Sequence, residues 1–244
     1  MDTRQGHDVR DTMNEKPLGV LGGMGPLASA QFMVRLTLLT PAMRDQEHIP
    51  TVLWSDPRVP DRTVGALAGG ADPLPWLLRG IDGLKRAGCG AIAIPCNTAH
   101  GWYDAMRDAA GIPILHIVDS AAVELRRMGI GTGTIGIMGT QATLAMRLYQ
   151  ERLGAAGWDC IMPSRAEMDR LVSPAIALVK ANRMAEAYAP LAEAVGGLAA
   201  RGATAVVLGC TEIPLGIQAG ASPSLPLVDT IDALARAAIA WARR

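Results

Sequence analysis

Three short motifs occur twice in this chain, in the same order and at nearly constant spacing, and this recurrence restricts the fold more than any other feature. Gly19-Val-Leu-Gly-Gly23 is matched by Gly136-Ile-Met-Gly-Thr140, and Ala91-Ile-Ala-Ile-Pro-Cys96-Asn-Thr by Ala205-Val-Val-Leu-Gly-Cys210-Thr-Glu. Pro113-Ile-Leu-His-Ile-Val-Asp119 is matched by Pro226-Leu-Val-Asp229, and the copies lie 113 to 117 positions apart. An ordered repeat of this kind signals two copies of one supersecondary arrangement. The 244 residues suffice for two lobes of about 100–150 residues each.

Within each copy, short apolar runs alternate with helical spacing. Leu18–Gly23, Pro50–Trp54, Ala91–Ile94 and Ile112–Val118 read as strands of the first copy. Gly133–Gly139, Cys160–Met162, Ala205–Gly209 and Pro226–Val228 read as strands of the second. Helices are expected over Ala28–Leu39, Leu74–Ala87 with Gly88 as its C-cap, and from about Asn97–Ala99. Further helices are expected over Leu144–Leu153, Leu171–Lys180, Met184–Ala200 and Ile231–Arg243. Continuously apolar strands between helices mark a parallel sheet covered on both faces. The expected fold is α/β: two pseudo-symmetric, Rossmann-like parallel-sheet lobes from an internal duplication, with the active site in the cleft between them. The lobes span 17–115 and 116–228, and the polar segment 1–16, with His7, reads as a disordered tail.

Composition excludes several classes. Lys+Arg and Asp+Glu are both 23, without the basic surplus expected of a nucleic-acid binder. No apolar run reaches the roughly 18 residues of a membrane span, and Met1 to Lys16 lacks the apolar core of a signal peptide. Four cysteines without a Cys-x-x-Cys pair do not make a disulfide scaffold. His48 and His116 have no partner at metal-ligand spacing. The expectation is a reduced, cytoplasmic protein with no metal.

Cys96 and Cys210 hold equivalent places, each just after an apolar strand. Ligands of parallel α/β sheets bind outside the carboxyl ends of the strands. Backbone N–H groups there favour thiolate, lowering a thiol from about 8.5 towards ~3.5–7.5. Two such thiols facing across a cleft suit removal of a proton from one face of a stereocentre and delivery to the other, with roles exchanged in reverse.

Gly22-Gly-Met-Gly-Pro26, Pro57-Arg-Val-Pro-Asp-Arg-Thr63, Ile94-Pro-Cys-Asn-Thr-Ala-His100 and Leu208-Gly-Cys-Thr-Glu-Ile-Pro214 resemble the cofactor-independent aspartate/glutamate racemase family. The resemblance runs from about Leu18 to the terminal helix. Glutamate racemases usually carry Asp-Ser after the first strand, whereas Gly23-Met24 stands here, as in the aspartate racemase branch. The resemblance implies a racemase using neither PLP nor metal, usually a homodimer, acting on a small acidic amino acid. It implies catalytic roles for Cys96 and Cys210 and a terminal helix, 229–244, that returns to the first lobe.

The same resemblance places Asn97, Thr98 and Thr211 around the α-carboxylate and Met24 and Gly25 on the opposite loop. Thr140 and Thr143 read as cleft hydroxyls or helix caps. Arg62, in a loop, and Lys180 would take the side-chain carboxylate, although Asn182 stands where the family commonly has glycine. Glu212 reads as a substrate acceptor or a cap, and His100 as a helix histidine or a group orienting a thiol. Cys89 and Cys160 read as structural.

Other readings are glutamate or broad specificity, a related cysteine-dependent decarboxylase or isomerase, and a non-catalytic amino-acid-binding module. Gly23-x-Gly25-x-x-Ala28 fits a lenient dinucleotide pattern, but Asp45 and Glu47 precede the second strand rather than ending it.

Overall fold

The computed structural model describes residues 16–223 and 225–244; the expected tail 1–15, with His7, lies outside them. Lys16, placed in that tail by the sequence, lies beside Gly90.

The strands are β1 (Leu18–Gly22), β2 (Thr51–Ser55), β3 (Ala91–Ala93), β4 (Ile114–Leu115), β5 (Gly133–Gly139), β6 (Trp158–Ile161), β7 (Ala205–Gly209) and β8 (Leu227–Asp229). They form two parallel sheets with one topology, β2-β1-β3-β4 and β6-β5-β7-β8. The sequence repeat reappears as register. Gly19 lies opposite Ile92, and Gly136 opposite Val206. Ile92 lies opposite Ile114, and Val206 opposite Leu227. Strands β1, β3 and β7 are buried along their whole length, whereas the edge strand β2 is partly exposed, as expected of central and edge strands in a covered sheet.

In the first copy the helices are α1 (Pro26–Leu39), α2 (Arg62–Leu67), α3 (Leu74–Arg86), α4 (Tyr103–Ala110) and α5 (Ile117–Arg127). In the second they are α6 (Gln141–Ala145), α7 (Leu148–Ala155), α8 (Arg165–Glu167), α9 (Ser173–Lys180), α10 (Met184–Ala200), α11 (Ile213–Ile217) and α12 (Thr230–Ala242).

Several expected elements are corrected. The run Ile112–Val118 is a strand only at Ile114–Leu115, because His116 Nδ1 accepts the Val118 N–H and caps α5. Apolarity alone did not separate that strand from the first turn of the following helix. Arg62 does not lie in a loop: Asp61 Oδ1 accepts the Thr63 and Val64 N–H groups at 2.8 and 3.0 Å and starts α2 there. The expected helix Leu144–Leu153 is two helices joined at Arg147, whose φ is +56°. Leu171–Lys180 begins in a π turn, Met168–Val172, that leads into α9. Strand β6 starts at Trp158, before the expected Cys160.

Alternation along the strands sorts side chains between cores. Ala91 and Ala93 of β3, with Ala205 and Val207 of β7, join one central core that includes Phe32, Tyr149 and the apolar sides of α5 and α12. The opposite set of each strand lines its own lobe. Ile92, Ile94 and Cys96 pack with Leu77 and Ile81 of α3, and Val206, Leu208 and Cys210 with Leu191 and Leu198 of α10. The two lobes thus share an interior.

Two charge pairs tie elements of one copy to the other at equivalent places. Arg35 of α1 makes a two-pronged contact with Asp232 of α12 at 2.5 and 2.6 Å. Arg152 of α7 contacts both oxygens of Asp119 of α5 at 2.8 and 2.9 Å. The closing helix of each copy is therefore clamped to the opening helix region of the other, and α12 packs against both α1 and α5.

Candidate active site

The carboxyl ends of both sheets open onto one pocket. The first copy supplies Met24 from the β1–α1 turn, Arg62 with Asp61 and Thr63 from the start of α2, and Cys96, Asn97 and Thr98 beyond β3. The second supplies Thr140 beyond β5, Lys180 at the end of α9, and Cys210, Thr211 and Glu212 beyond β7. The cavity between these walls is small, about 20 Å³, room for about one water. A neighbouring recess of about 290 Å³ continues past Thr63, Thr140 and Lys180 to Gln141, Ser173, Ile176 and Ala177.

Both thiols arrive by the same local logic. Strand alternation puts Cys96 in phase with Ile92 and Ile94, and Cys210 in phase with Val206 and Leu208, so each thiol has apolar backing and faces the pocket at its tip. Cys96 stands three residues past β3 because Pro95 has no N–H to extend the ladder, whereas Cys210 directly follows β7. Their exposures are 5% and 4%.

Their partners differ. The Cys210 thiol donates to Glu212 Oε2 at 3.1 Å, and Thr211 Oγ1 donates to the same oxygen at 3.3 Å. Burial, then the Glu212 charge, push the Cys210 thiol well above its ordinary value, with the Glu212 N–H and, less strongly, Lys180 pulling the other way. These outweigh the lowering expected from strand-end N–H groups: burial dominates, and the carboxylate two residues on adds to it. Gly25 gives that carboxylate room, since a Cβ there would lie 3.1 Å from Glu212 Oε1.

Three hydroxyls bridge the copies. Thr98 Oγ1 lies 3.0 Å from both Thr140 Oγ1 and Thr143 Oγ1, which are themselves 3.0 Å apart. Thr140 also caps α6 by accepting the Thr143 N–H, so the cap and the cleft hydroxyl are one residue. Thr143 is fully buried behind it. Asn97 is held at both ends of its carboxamide: Tyr149 donates to Oδ1 at 2.5 Å, and Nδ2 donates to Thr230 Oγ1 at 3.1 Å. Thr230 in turn donates to Leu208 O at 2.9 Å, which ties the Cys96 turn to the strand carrying Cys210.

The two cations are held differently. Arg62 Nη1 donates to Val59 O at 3.1 Å and Pro60 O at 3.0 Å, while its buried Nε has no partner among the described residues. Lys180 is exposed at the mouth. Asn182 follows it with φ +59°, a left-handed conformation that Asn adopts most readily after Gly. Burial opposes ionisation of Asp61, but the Val64 N–H, Lys180 and the Thr63 N–H outweigh it and hold its carboxyl below the usual range. Asp61 and Thr63 were missed in the sequence, although an Asp ahead of a helix is a cap signature.

His100 does not touch a thiol. Its Nδ1 lies 2.9 Å from the Cys96 carbonyl and its Nε2 accepts the Ile117 N–H at 3.2 Å, which fixes the neutral tautomer with hydrogen on Nδ1. Burial lowers it to about 4. Cys89 is buried and Cys160 half-buried, and neither reaches the pocket. Among the described residues no three His, Cys, Asp or Glu side chains converge as a metal would require, and no helix is long and apolar enough to cross a membrane.

This geometry can hold an anion at Arg62 and Lys180 and place a thiol from each copy beside it. The Asp/Glu/Hydantoin racemase model matches residues 21–238. A broad specificity amino-acid racemase of Bacillus subtilis is 24% identical over 228 residues, which cover 91% of this chain and 96% of that protein. A glutamate racemase of Deinococcus radiodurans is 28% identical over 231 residues, covering 90% of this chain and 72% of that one. The aspartate racemase of Picrophilus torridus superposes with a TM-score of 0.80 at 29% identity, over 93% of this chain and 94% of that one. The chain belongs to the Asp/Glu/hydantoin racemase family and is an isomerase.

Proposed function

We propose that this chain interconverts the enantiomers of an acidic amino acid, aspartate foremost, with Cys96 and Cys210 as paired acid and base and without PLP or metal. One sulfur, as thiolate, takes the Cα proton and becomes a thiol. The electron pair left on Cα is delocalised into the α-carboxylate, and the thiol on the opposite face returns a proton to Cα. One proton leaves and one arrives, so the enzyme ends with its two sulfurs in exchanged states. General acid–base work of this kind contributes about 10²–10⁴-fold per group.

One observation carries the reading: equivalent strand ends bring both thiols to a single pocket that also holds Arg62 and Lys180. In this reading Arg62, with its unpartnered Nε, and Lys180 receive the side-chain carboxylate. Thr98, Thr140 and Thr211 offer hydroxyls to the α-carboxylate, and Met24 and Gly25 form the facing wall. Asn97 contributes through the amide hydrogen not given to Thr230, and Thr143 supports Thr98 and Thr140 from behind. The lobes are 17–115 with 229–244, and 116–228, and the working form is a cytoplasmic homodimer, which sedimentation of the purified protein tests for its oligomeric part.

The recess past Lys180 favours a second reading, in which longer side chains, glutamate included, extend towards Ile176 and Ala177. Incubation with each common L-amino acid, followed by chiral chromatography, tests both. D-Aspartate formation supports the first, and faster D-glutamate formation the second. Binding without any D-product, or release of a decarboxylated product, contradicts both.

A further inference from the structure

The two copies differ at a position beside the sulfurs. Two residues beyond Cys96 stands Thr98, whose hydroxyl is engaged with Thr140 and Thr143. Two residues beyond Cys210 stands Glu212, whose Oε2 accepts the Cys210 thiol hydrogen at 3.1 Å. Glu212 is buried, and among the described residues its hydrogen-bond donors are a thiol and a hydroxyl, with no cation in ion-pair contact. A buried carboxylate without a cation is costly to keep, and here it is aimed at a sulfur.

We propose that Glu212 is a positioning residue that holds Cys210 as the thiol in the empty enzyme, so that Cys210 is the resting acid and Cys96 receives the first Cα proton. The first clause is a property of the protein alone; the second rests on the racemase reading above. Ionising Cys210 would put a thiolate 3.1 Å from a carboxylate oxygen, two like charges in contact at a buried site, which favours the protonated form. The other charged or titratable groups at this pocket are Lys180 of α9, Arg62 and Asp61 at the start of α2, and Cys96 across the cleft. The Glu212 backbone N–H opposes the effect, and so, less strongly, does Lys180 from the exposed mouth. Tyr149 of α7 is buried and its phenol is pushed up, so it offers no compensating proton. The enantiomer that binds the resting enzyme productively is then the one whose Cα–H faces Cys96.

The test is a pH titration of substrate-free protein labelled with [3-¹³C]cysteine, each signal assigned by single Cys→Ser variants. In the wild type the Cys210 carbon should stay at its thiol position to about pH 9.5. In Glu212→Gln its titration should fall by at least about one pH unit, tenfold in proton affinity, and enter the observed range, while Cys89, at the far end of β3, stays where it was. Glu212→Asp, which keeps the charge, should retain most of the wild-type behaviour and serves if the Gln variant does not fold. An unchanged Cys210 signal in Glu212→Gln, or a wild-type Cys210 already ionised near pH 8, overturns the proposal. Neither result bears on racemisation, which D-product formation decides separately.

Discussion

The copies are alike in scaffold and unlike in environment. Strand order, register and cysteine position repeat, as do the Arg35–Asp232 and Arg152–Asp119 clamps. Around the thiols the repeat breaks: Thr98 corresponds to Glu212, His100 to Pro214, and Phe32 of α1 to Tyr149 of α7, whose hydroxyl reaches across to Asn97. Register and packing depend on apolar pattern, which duplication preserves. The state of each sulfur depends on one or two neighbouring polar groups, which single substitutions alter. A symmetric frame can therefore carry an asymmetric pair of proton carriers.

The largest expected effects test the symmetry itself. Cys96→Ala and Cys210→Ala should each lower aspartate racemisation by at least about 10²–10⁴-fold, followed by chiral chromatography. A variant that kept full turnover would remove its copy from the chemistry. Arg62→Ala comes next: losing a charge-assisted contact should reduce kcat/KM for aspartate by roughly 10–100-fold and for alanine by much less. Equal losses would assign Arg62 to folding instead.

His100 makes the first copy acid-sensitive in a way Pro214 cannot. Its folded value of about 4 lies below the ordinary 6.5, so the unfolded chain binds the extra proton between those values. The stability tied to neutral His100 is complete above about pH 6.5 and is lost as pH falls towards 4, by roughly 3 kcal/mol in all. His100→Gln should flatten the fall of Tm between pH 6.5 and 4.5, and an unchanged slope would place the acid sensitivity elsewhere. The smallest effect compares the clamps. Arg35 and Asp232 are 28% and 22% exposed, against 39% and 57% for Arg152 and Asp119. Arg35→Ala should cost about 1 kcal/mol and Arg152→Ala only a few tenths, measured by urea denaturation; the reverse order would contradict the burial argument.

Much of this was legible in the residues. Central strands of a covered sheet announce themselves as apolar runs, so β1, β5 and β7 were found nearly to the residue, and the repeat located both cysteines. Most of the candidate residues line the pocket, while Gly25 lies beneath Glu212 and Thr143 is the buried corner of the hydroxyl triangle. What stayed hidden depends on contacts between distant positions. The apolar run Ile112–Val118 conceals a strand-to-helix switch set by the ring of His116. Asp61 reads as a polar loop residue until α2 forms after it. The upward shift at Cys210 needed the burial of the thiol and the side-chain direction of Glu212, which spacing alone does not supply.

The paired-thiol claim is tested most directly by following L-aspartate in D₂O at early times by ¹H NMR and chiral separation. Two sulfurs on opposite faces predict D-aspartate that carries deuterium at Cα, while the remaining L-aspartate keeps its hydrogen. D-aspartate that retains the original hydrogen, or L-aspartate that gains deuterium ahead of inversion, would mean that a single group does the work on both faces.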